Sequence, residues 1–393
     1  MVLRTLELRH FRNLGIQELH FPPEGVAVTG DNAQGKTNLL EAIYYLESFR
    51  SFRGAADAEL TAFSQDVFYL RGDVQGGTVT TVAAGFDCKR KSKKVTVDGD
   101  DSLRISAALG SLGAVVFSPA DVALVNGGPG VRRRFLDIVL SLNLPGYVAA
   151  LQDYRKWLAQ RNAALRASAG RTGSEHWVRA WDGGLVETGA AVTCMRASWA
   201  TAWSETFAQY HEVVSGGDSA TLTYRPNLTY RPNLGGAAAG KAGSDDESRP
   251  EPTDEEVLRE QFRHRLDAAW ENDLRRGVTS VGPHRDELFL AVTTRGRSLP
   301  LRSYGSGGQR RTAALALRLT EAATIRRQRG TDPVLLVDDA FAELDHGRSE
   351  RVMALLASEL AGQVIVTAPK ESDVRFAGRT LERWRVHGGV IAA

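Results

Sequence analysis

The chain has 393 residues, 42% apolar and 24% charged, with a formal net charge of +2, the make-up of a globular protein of two or three domains. So small a net charge excludes whole-molecule attraction to a polyanion, and any such binding must come from local patches. No apolar run approaches the roughly 18–20 residues of a membrane span. The start MVLRTLELRHFRNL mixes charged and apolar residues, unlike a secretory signal, and the lone Cys88 and Cys194 exclude a disulfide framework or zinc ribbon and suit a reducing cytoplasm.

The first hundred residues read as strands, with period-two or short apolar patterns in LRTLELRHF, GVAVTG and TVTTVAAGF. GDNAQGKT, residues 30–37, fills every position of GxxxxGK[ST] and lies between the strand-like VAV and the helix-forming TNLLEAIYYL. Gly30 and Gly35 let the backbone curl, so that the N–H groups of Asp31, Asn32, Ala33 and Gln34 surround phosphates. Lys36 supplies positive charge to the β- and γ-oxygens, and the Thr37 hydroxyl is a Mg2+ ligand.

Arg50 and Arg53 follow the P-loop helix, within reach of either a nucleotide or DNA. CKRKSKKVTVDGDD, residues 88–101, reads as a β-hairpin carrying Lys89, Arg90, Lys91, Lys93 and Lys94. A solvated edge and a polyanion-binding edge both fit that run. Arg132, Arg133 and Arg134 form a second basic cluster.

Helical spacing takes over at Arg132–Leu142, Tyr147–Ala167, Glu175–Gly183 and Leu185–His211. Six of the seven tryptophans lie between 157 and 270, and the i,i+4 pairs Trp177/Trp181 and Trp199/Trp203 are expected in a helical core. TYRPNLTYRPNL, residues 223–234, is a perfect tandem hexapeptide. Two copies are too few for a solenoid, and the repeat reads as a local duplication in a surface segment. The Gly-, Ala-, Pro- and acid-rich stretch near 235–255 reads as a flexible linker, with helix resuming over about 254–276.

The last third alternates strand and helix, the pattern of a mainly parallel α/β sheet. In SYGSGGQRR, Ser306 stands as an N-cap before the bare Gly307 and Gly308 and the following Gln309, a second helix start suited to an anion. PVLLVDD is a short buried strand ending in two carboxylates at the edge where open α/β sheets bind ligands. Asp338 is expected to hold Mg2+ through water and Asp339 to polarise an attacking water, with capping of the next turn as the plain alternative. AELD at 342–345 is an acidic turn, and QVIVTAPK an adjacent strand ending near Thr367.

In this order the P-loop, SGGQ, acid-ended strand and ELD turn resemble an ABC-type ATPase, and their split placement resembles the SMC group. LRTLELRHFRN, FSPADVALVNGGPGVRRRFLD (117–137), VGPHRDEL (281–288) and LLVDDAFAELDHGRSERVMAL (335–355) are similar to signatures of the RecF recombination mediators. The resemblance implies an α/β ATPase head built from both chain ends, with a compact, mainly helical second domain and no long coiled coil. The division is 1–130 and 277–393 for the head and 131–276 for the second domain. It further implies a weak ATPase that uses ATP and Mg2+ and dimerises on DNA at gaps and single-strand/double-strand junctions. There it would act with RecR and RecO to load RecA onto strands covered by single-strand-binding protein. In the ABC arrangement Ser306, Gly307, Gly308 and Gln309 close over the γ-phosphate held by a partner protomer.

Three departures stand out. Thr367-Ala368 replaces the histidine of transporter subunits, Asp-Asp replaces the common Asp-Glu, and the FSP stretch near Ser118 holds the place of a glutamine loop without a glutamine. Arg132–Arg134 belong to the resembling segment itself, so pairing with acids between domains is an equal reading for them. The alternatives fit less well. A transporter's nucleotide-binding subunit has no helical insert between P-loop and signature, and a long SMC or break-repair ATPase needs sustained heptads or a CxxC hook. A degenerate, non-hydrolysing scaffold would not keep Gly30, Gly35, Lys36, Thr37 and Asp338 together.

Overall fold

The computed structural model describes residues 1–101, 104–168, 175–228, 254–339, 346–359, 362–369 and 381–392. Its central element is a six-stranded sheet drawn from both ends of the chain. The strands are β3 (Gly25–Thr29), β7 (Ala114–Phe117), β11 (Val334–Asp338), β12 (Val364–Ala368), β13 (Glu382–His387) and β14 (Val390–Ala392). They run in the order β14-β13-β3-β12-β11-β7, parallel except for β14.

Strands β3, β7, β11 and β12 are apolar along most of their length because both faces are covered, whereas β13 alternates, with only Trp384 and Val386 buried. Val26, Val28, Ala114, Val116, Val334, Leu336 and Ile365 enter one core with the P-loop helix, Lys36–Ser48. Ala27, Val115, Phe117, Leu335, Val337, Val364 and Val366 enter the other, with the signature helix Gly307–Arg329 and the helices beyond. Each branched side chain contributes on the order of 1.5–3 kcal/mol, so β11 is clamped from both sides and the position of Asp338 with it.

Against the P-loop helix lies an antiparallel sheet of β1 (Val2–Phe11), β2 (Leu14–His20), β4 (Val67–Gln75), β5 (Thr81–Asp87) and β6 (Ser92–Val97), in the order β2-β1-β4-β5-β6. The opposite layer holds helices Pro129–Asn143, Tyr147–Ala167, Asp182–Ser215 and Glu255–Arg276. With it goes a small sheet of β8 (Ala220–Arg225), β9 (Glu287–Thr294) and β10 (Arg297–Pro300). The helices share a continuous apolar core with the signature helix.

Buried ion pairs fix the helical layer. Arg161, fully buried, bonds Asp182 at 2.7 Å and Asp273 at 2.8 Å, and donates to the Thr279 hydroxyl at 2.9 Å. Arg196 bonds Asp137 at 2.7 Å, the Pro283 carbonyl at 2.8 Å and Asp286 at 3.4 Å. Burial raises the Asp286 carboxyl above its usual range, against the pull of Arg196.

Two expectations are corrected here. The first copy of the hexapeptide is interior: Tyr224 lies in β8 and bonds Asp286, the Asn227 N–H donates to Asp286 at 2.6 Å, and Leu228 is fully buried. Alternation along β8 puts Leu222 and Tyr224 on the covered face, which composition alone did not reveal. The second copy and most of the expected linker lie outside the described residues. Among the tryptophans, Trp199 and Trp203 are core, but Trp177 is 67% exposed. The helix Glu175–Arg179 ends before Trp181, so that i,i+4 pair never shares one face.

The chain ends close over the P-loop. In the β13–β14 turn the Gly388 N–H donates to Gln34 Oε1 at 2.6 Å and the Gly389 N–H to the Gln34 carbonyl at 3.0 Å. Asn13 Nδ2 donates to that same carbonyl at 2.9 Å. Gly389 has φ +82°, and a Cβ there would lie 2.0 Å from the Asn13 carbonyl oxygen, whereas Gly388 has φ +57° and open space. Gly389→Val should therefore cost about 2 kcal/mol or more in urea unfolding. Gly388→Asn, a residue that tolerates this conformation, should stay within about 1 kcal/mol; equal effects would contradict the close approach.

His284 gives a pH test of the helical junction. Tyr154 is 2.5 Å from its Nδ1 and the Thr279 carbonyl 3.0 Å from its Nε2, and burial pushes its pKa down to about 4. The unfolded imidazole takes its proton near pH 6.5. Stability should thus be full above that value and fall by up to about 3 kcal/mol as pH drops towards 4. In urea titrations from pH 7 to 4, His284→Gln should flatten this slope relative to the parent chain.

Candidate nucleotide-binding site

The loop after β3 has the curl its glycines allow: φ is +151° at Gly30, +66° at Ala33 and +123° at Gly35. A Cβ on Gly30 would meet the Val386 carbonyl oxygen at 2.5 Å, so β13 requires glycine there. Asp31, Asn32 and Ala33 form the exposed rim, while Gly35 caps the helix and Lys36 is buried. Lys36 Nζ arches back to the carbonyls of Gly30 at 2.7 Å and Asp31 at 3.1 Å, which holds the ammonium over the mouth of the loop.

Parallel pairing sets the remaining groups. β12 separates β3 from β11, with Thr367 opposite Val28 on one side and Asp338 on the other. The Thr37 hydroxyl donates to Asp338 Oδ1 at 2.8 Å, and the Thr367 hydroxyl donates to the same oxygen at 3.0 Å. Thr367, where transporters carry histidine, thus orients the acidic strand. Asp339 is half-buried with φ 47°, a left-handed backbone that turns the chain off the strand end. AELD lies outside the described residues.

Ser118 follows β7 directly, beside the end of β11. Its N–H donates to Asp121 Oδ2 at 2.7 Å, and the other Asp121 oxygen accepts from Arg318 of the signature helix at 2.6 and 3.0 Å. The sheet edge and signature helix are thereby tied by a buried ion pair. Sequence reasoning missed this link, because the two partners lie far apart in the chain. It also missed Asn13 and Asn38, which bond each other at 2.7 Å beside Gln34. Arg53 donates to Asn38 at 3.2 Å, so it lies beside the P-loop helix, while Arg50 is exposed.

Ser306 and Gln309 form a capping box: Ser306 Oγ accepts from the Gln309 N–H at 3.2 Å, and Gln309 Oε1 from the Ser306 N–H at 3.0 Å. That leaves the N–H groups of Gly307 and Gly308 as first-turn donors. Gln309 Nε2 reaches Asp218 at 3.4 Å, and Arg348 packs against Gly308, where a Cβ would lie 2.3 Å from its Nη1. Among the described residues no hydrogen bond joins this cap to the P-loop of the same chain. Ser306, Gly307 and the 67%-exposed Tyr304 face solvent.

The basic candidates separate by environment. Lys93 is turned inward, bonding Asp57 at 2.8 Å and the Phe49 carbonyl at 2.6 Å and lying over the Tyr45 ring. Arg132 is buried in a bidentate pair with Glu287 at 2.7 and 2.9 Å. Arg133 donates to the Asp286 carbonyl at 2.7 Å, and burial lowers its pKa. These positions serve packing, and RRRFLD and VGPHRDEL are each other's partners. Lys89, Arg90, Lys91, Lys94 and Arg134 remain exposed. Lys89 pairs with Asp66 at 2.5 Å, Arg90 with Asp87 at 3.8 Å and Lys94 with Asp101 at 2.5 Å.

The model of the RecF/RecN/SMC N terminal domain matches residues 2–391. The DNA replication and repair protein RecF of Synechococcus sp. (strain JA-2-3B'a(2-13)) is 37% identical over 395 residues, covering 100% of this chain and 97% of that protein. RecF of Streptomyces avermitilis is 33% identical over 381 residues, covering 95% of each. The solved recombination mediator RecF-ATP of the RecFOR pathway aligns with a TM-score of 0.84 at 29% identity, over 99% of this chain and 96% of that one. The Smc head domain of Pyrococcus furiosus, at 16% identity and a TM-score of 0.53, shares the fold. The chain belongs to the RecF family of DNA replication and repair proteins, within the RecF/RecN/SMC group.

Proposed function

We propose that this chain is an ATP-gated, DNA-binding recombination mediator whose two heads join over ATP and separate on slow hydrolysis. The observation that carries the reading is the meeting of Thr37 and Asp338 at 2.8 Å, at the foot of a P-loop already curled for phosphates. Lys36, now resting on its own loop's carbonyls, would move to the β- and γ-oxygens. Thr37 and Asp338 offer two hard oxygen donors side by side, which suits Mg2+, a cation that keeps several waters beside few protein ligands. Bound there, Mg2+ would neutralise charge between the β- and γ-phosphates. Thr367 holds the Asp338 carboxylate, and Asp339, at the end of the same strand, would orient the attacking water.

The exposed Ser306–Gln309 cap supports dimerisation. Ser306 and Gly307 are exposed and unconnected to the P-loop of their own chain, so the phosphate this cap suits would come from a partner's P-loop, and ATP would bridge two protomers. By family relationship, the DNA bound would be gapped or junction-bearing, and the action would be with RecR and RecO in loading RecA. An ABC transporter role finds no support in the helical layer locked between the P-loop and signature segments.

Lys36→Met should abolish ATP binding and dimerisation together. Ser306→Arg should keep monomer ATP affinity and lose the dimer. Sedimentation velocity with and without ATP checks both, and normal dimers in either variant would count against the composite site. In a phosphate-release assay Asp339→Asn should cut turnover by roughly 100-fold or more and accumulate an ATP-bound dimer. Undiminished turnover would remove Asp339 from the reaction.

A further inference from the structure

Phe63, in the turn that leads into β4, is 101% exposed, and no other aromatic ring among the described residues is left in water to that degree. A ring left in water forgoes the stabilisation that burial would give it. Its backbone is held, not loose. The Ala62 N–H donates to the His10 carbonyl at 2.8 Å, the Gln65 N–H to the Ala62 carbonyl at 3.1 Å, and Ser64 has φ +65°. These bonds make a tight turn over 62–65 with Phe63 at its apex.

The turn is stitched to the tip of the β5–β6 hairpin. The Cys88 N–H donates to the Asp66 carbonyl at 2.8 Å, Cys88 Sγ lies 3.2 Å from the Thr61 hydroxyl, and Lys89 Nζ reaches Asp66 at 2.5 Å. The ring therefore shares a ledge with Lys89, Arg90 and Lys91. Lys91, at φ +50°, is exposed and has no acid in ion-pair reach among the described residues. Asp66 and Asp87 also face the ledge, but Lys89 and Arg90 are largely in water, and pairs made by such exposed cations are weak. A phosphate can replace either acid at small cost.

We propose that this ledge grips unpaired bases of single-stranded nucleic acid, with Phe63 stacking on a base and Lys89, Arg90 and Lys91 meeting the flanking phosphates. The proposal rests on the DNA-binding reading above and gives it a location and a strand preference. One aromatic ring amid cations suits a base and its phosphate better than an apolar protein face. A duplex hides its base faces, so stacking selects the unpaired strand.

The test is fluorescence anisotropy of the full chain with a labelled oligothymidylate and with a duplex of equal length. Phe63→Ala should weaken oligothymidylate binding by about 5- to 100-fold and leave duplex and ATP affinities unchanged. Phe63→Tyr should restore the loss. Neutralising Lys89, Arg90 and Lys91 to glutamine should weaken both nucleic acids and lower the salt slope. Unchanged oligothymidylate affinity in Phe63→Ala, or equal loss on both ligands, overturns the ledge. If the parent chain binds DNA and the triple variant binds it equally well, the surface is wrong while the function stands. If the parent chain binds neither nucleic acid, the DNA reading falls and the ledge with it. A Phe63→Ala variant that loses only self-association would mark a contact between copies and also overturn the proposal.

Discussion

Thr37 and Asp338 are 301 residues apart in the chain and 2.8 Å apart in space. Everything proposed for the nucleotide depends on that meeting. It is secured by parallel pairing of β3, β12 and β11, whose side chains enter two different cores on alternate residues. No local stretch can form the site, since the P-loop comes from one end of the chain and its acid from the other. Such pairing also delays assembly, because loop closure must precede the contacts that reward it.

Charge does the same work at the periphery. Arg161, Arg196, Arg132 and Arg318 each sit in a buried or nearly buried pair with an acid from another segment. Pairs of this kind add little net stability, but losing one partner leaves a desolvated charge at a cost of about 3–5 kcal/mol. They specify how the helical layer seats on the head. They also explain why the arginines of RRRFLD are largely spent on packing, whereas the cations of the hairpin tip at 89–91 stay in water.

The P-loop and signature cap differ in how they are supported. Gln34 is tied to Asn13 and to the Gly388–Gly389 turn, so both termini brace the loop. The cap at Ser306 satisfies itself through Gln309 and leans on Asp218 and Arg348. One is built to be rigid within its own chain. The other leaves Ser306 and Gly307 in water, which fits the proposed completion of the site by a second copy.

The separate pieces of the site were legible in the sequence because the conformation of each is local, although their meeting is not. A glycine-curled loop, a Ser-Gly-Gly-Gln cap and a short apolar strand ending in acids each state their conformation within a few residues. The continuous burial of β11 and β12, and hence the α/β head, followed from their short apolar runs. What only the tertiary structure decided was the fate of identical residue types in different surroundings. Lys93 turns inward to Asp57 while Lys91 stays in water, and Arg132 pairs with Glu287 while Arg134 is exposed. Tyr224 and Leu228 became core, although their hexapeptide looks like surface. A charge or a ring takes its role from what lies against it, and here that neighbour belongs to another segment of the chain, Asp57 for Lys93, Glu287 for Arg132 and Asp286 for Tyr224, which no local pattern announces.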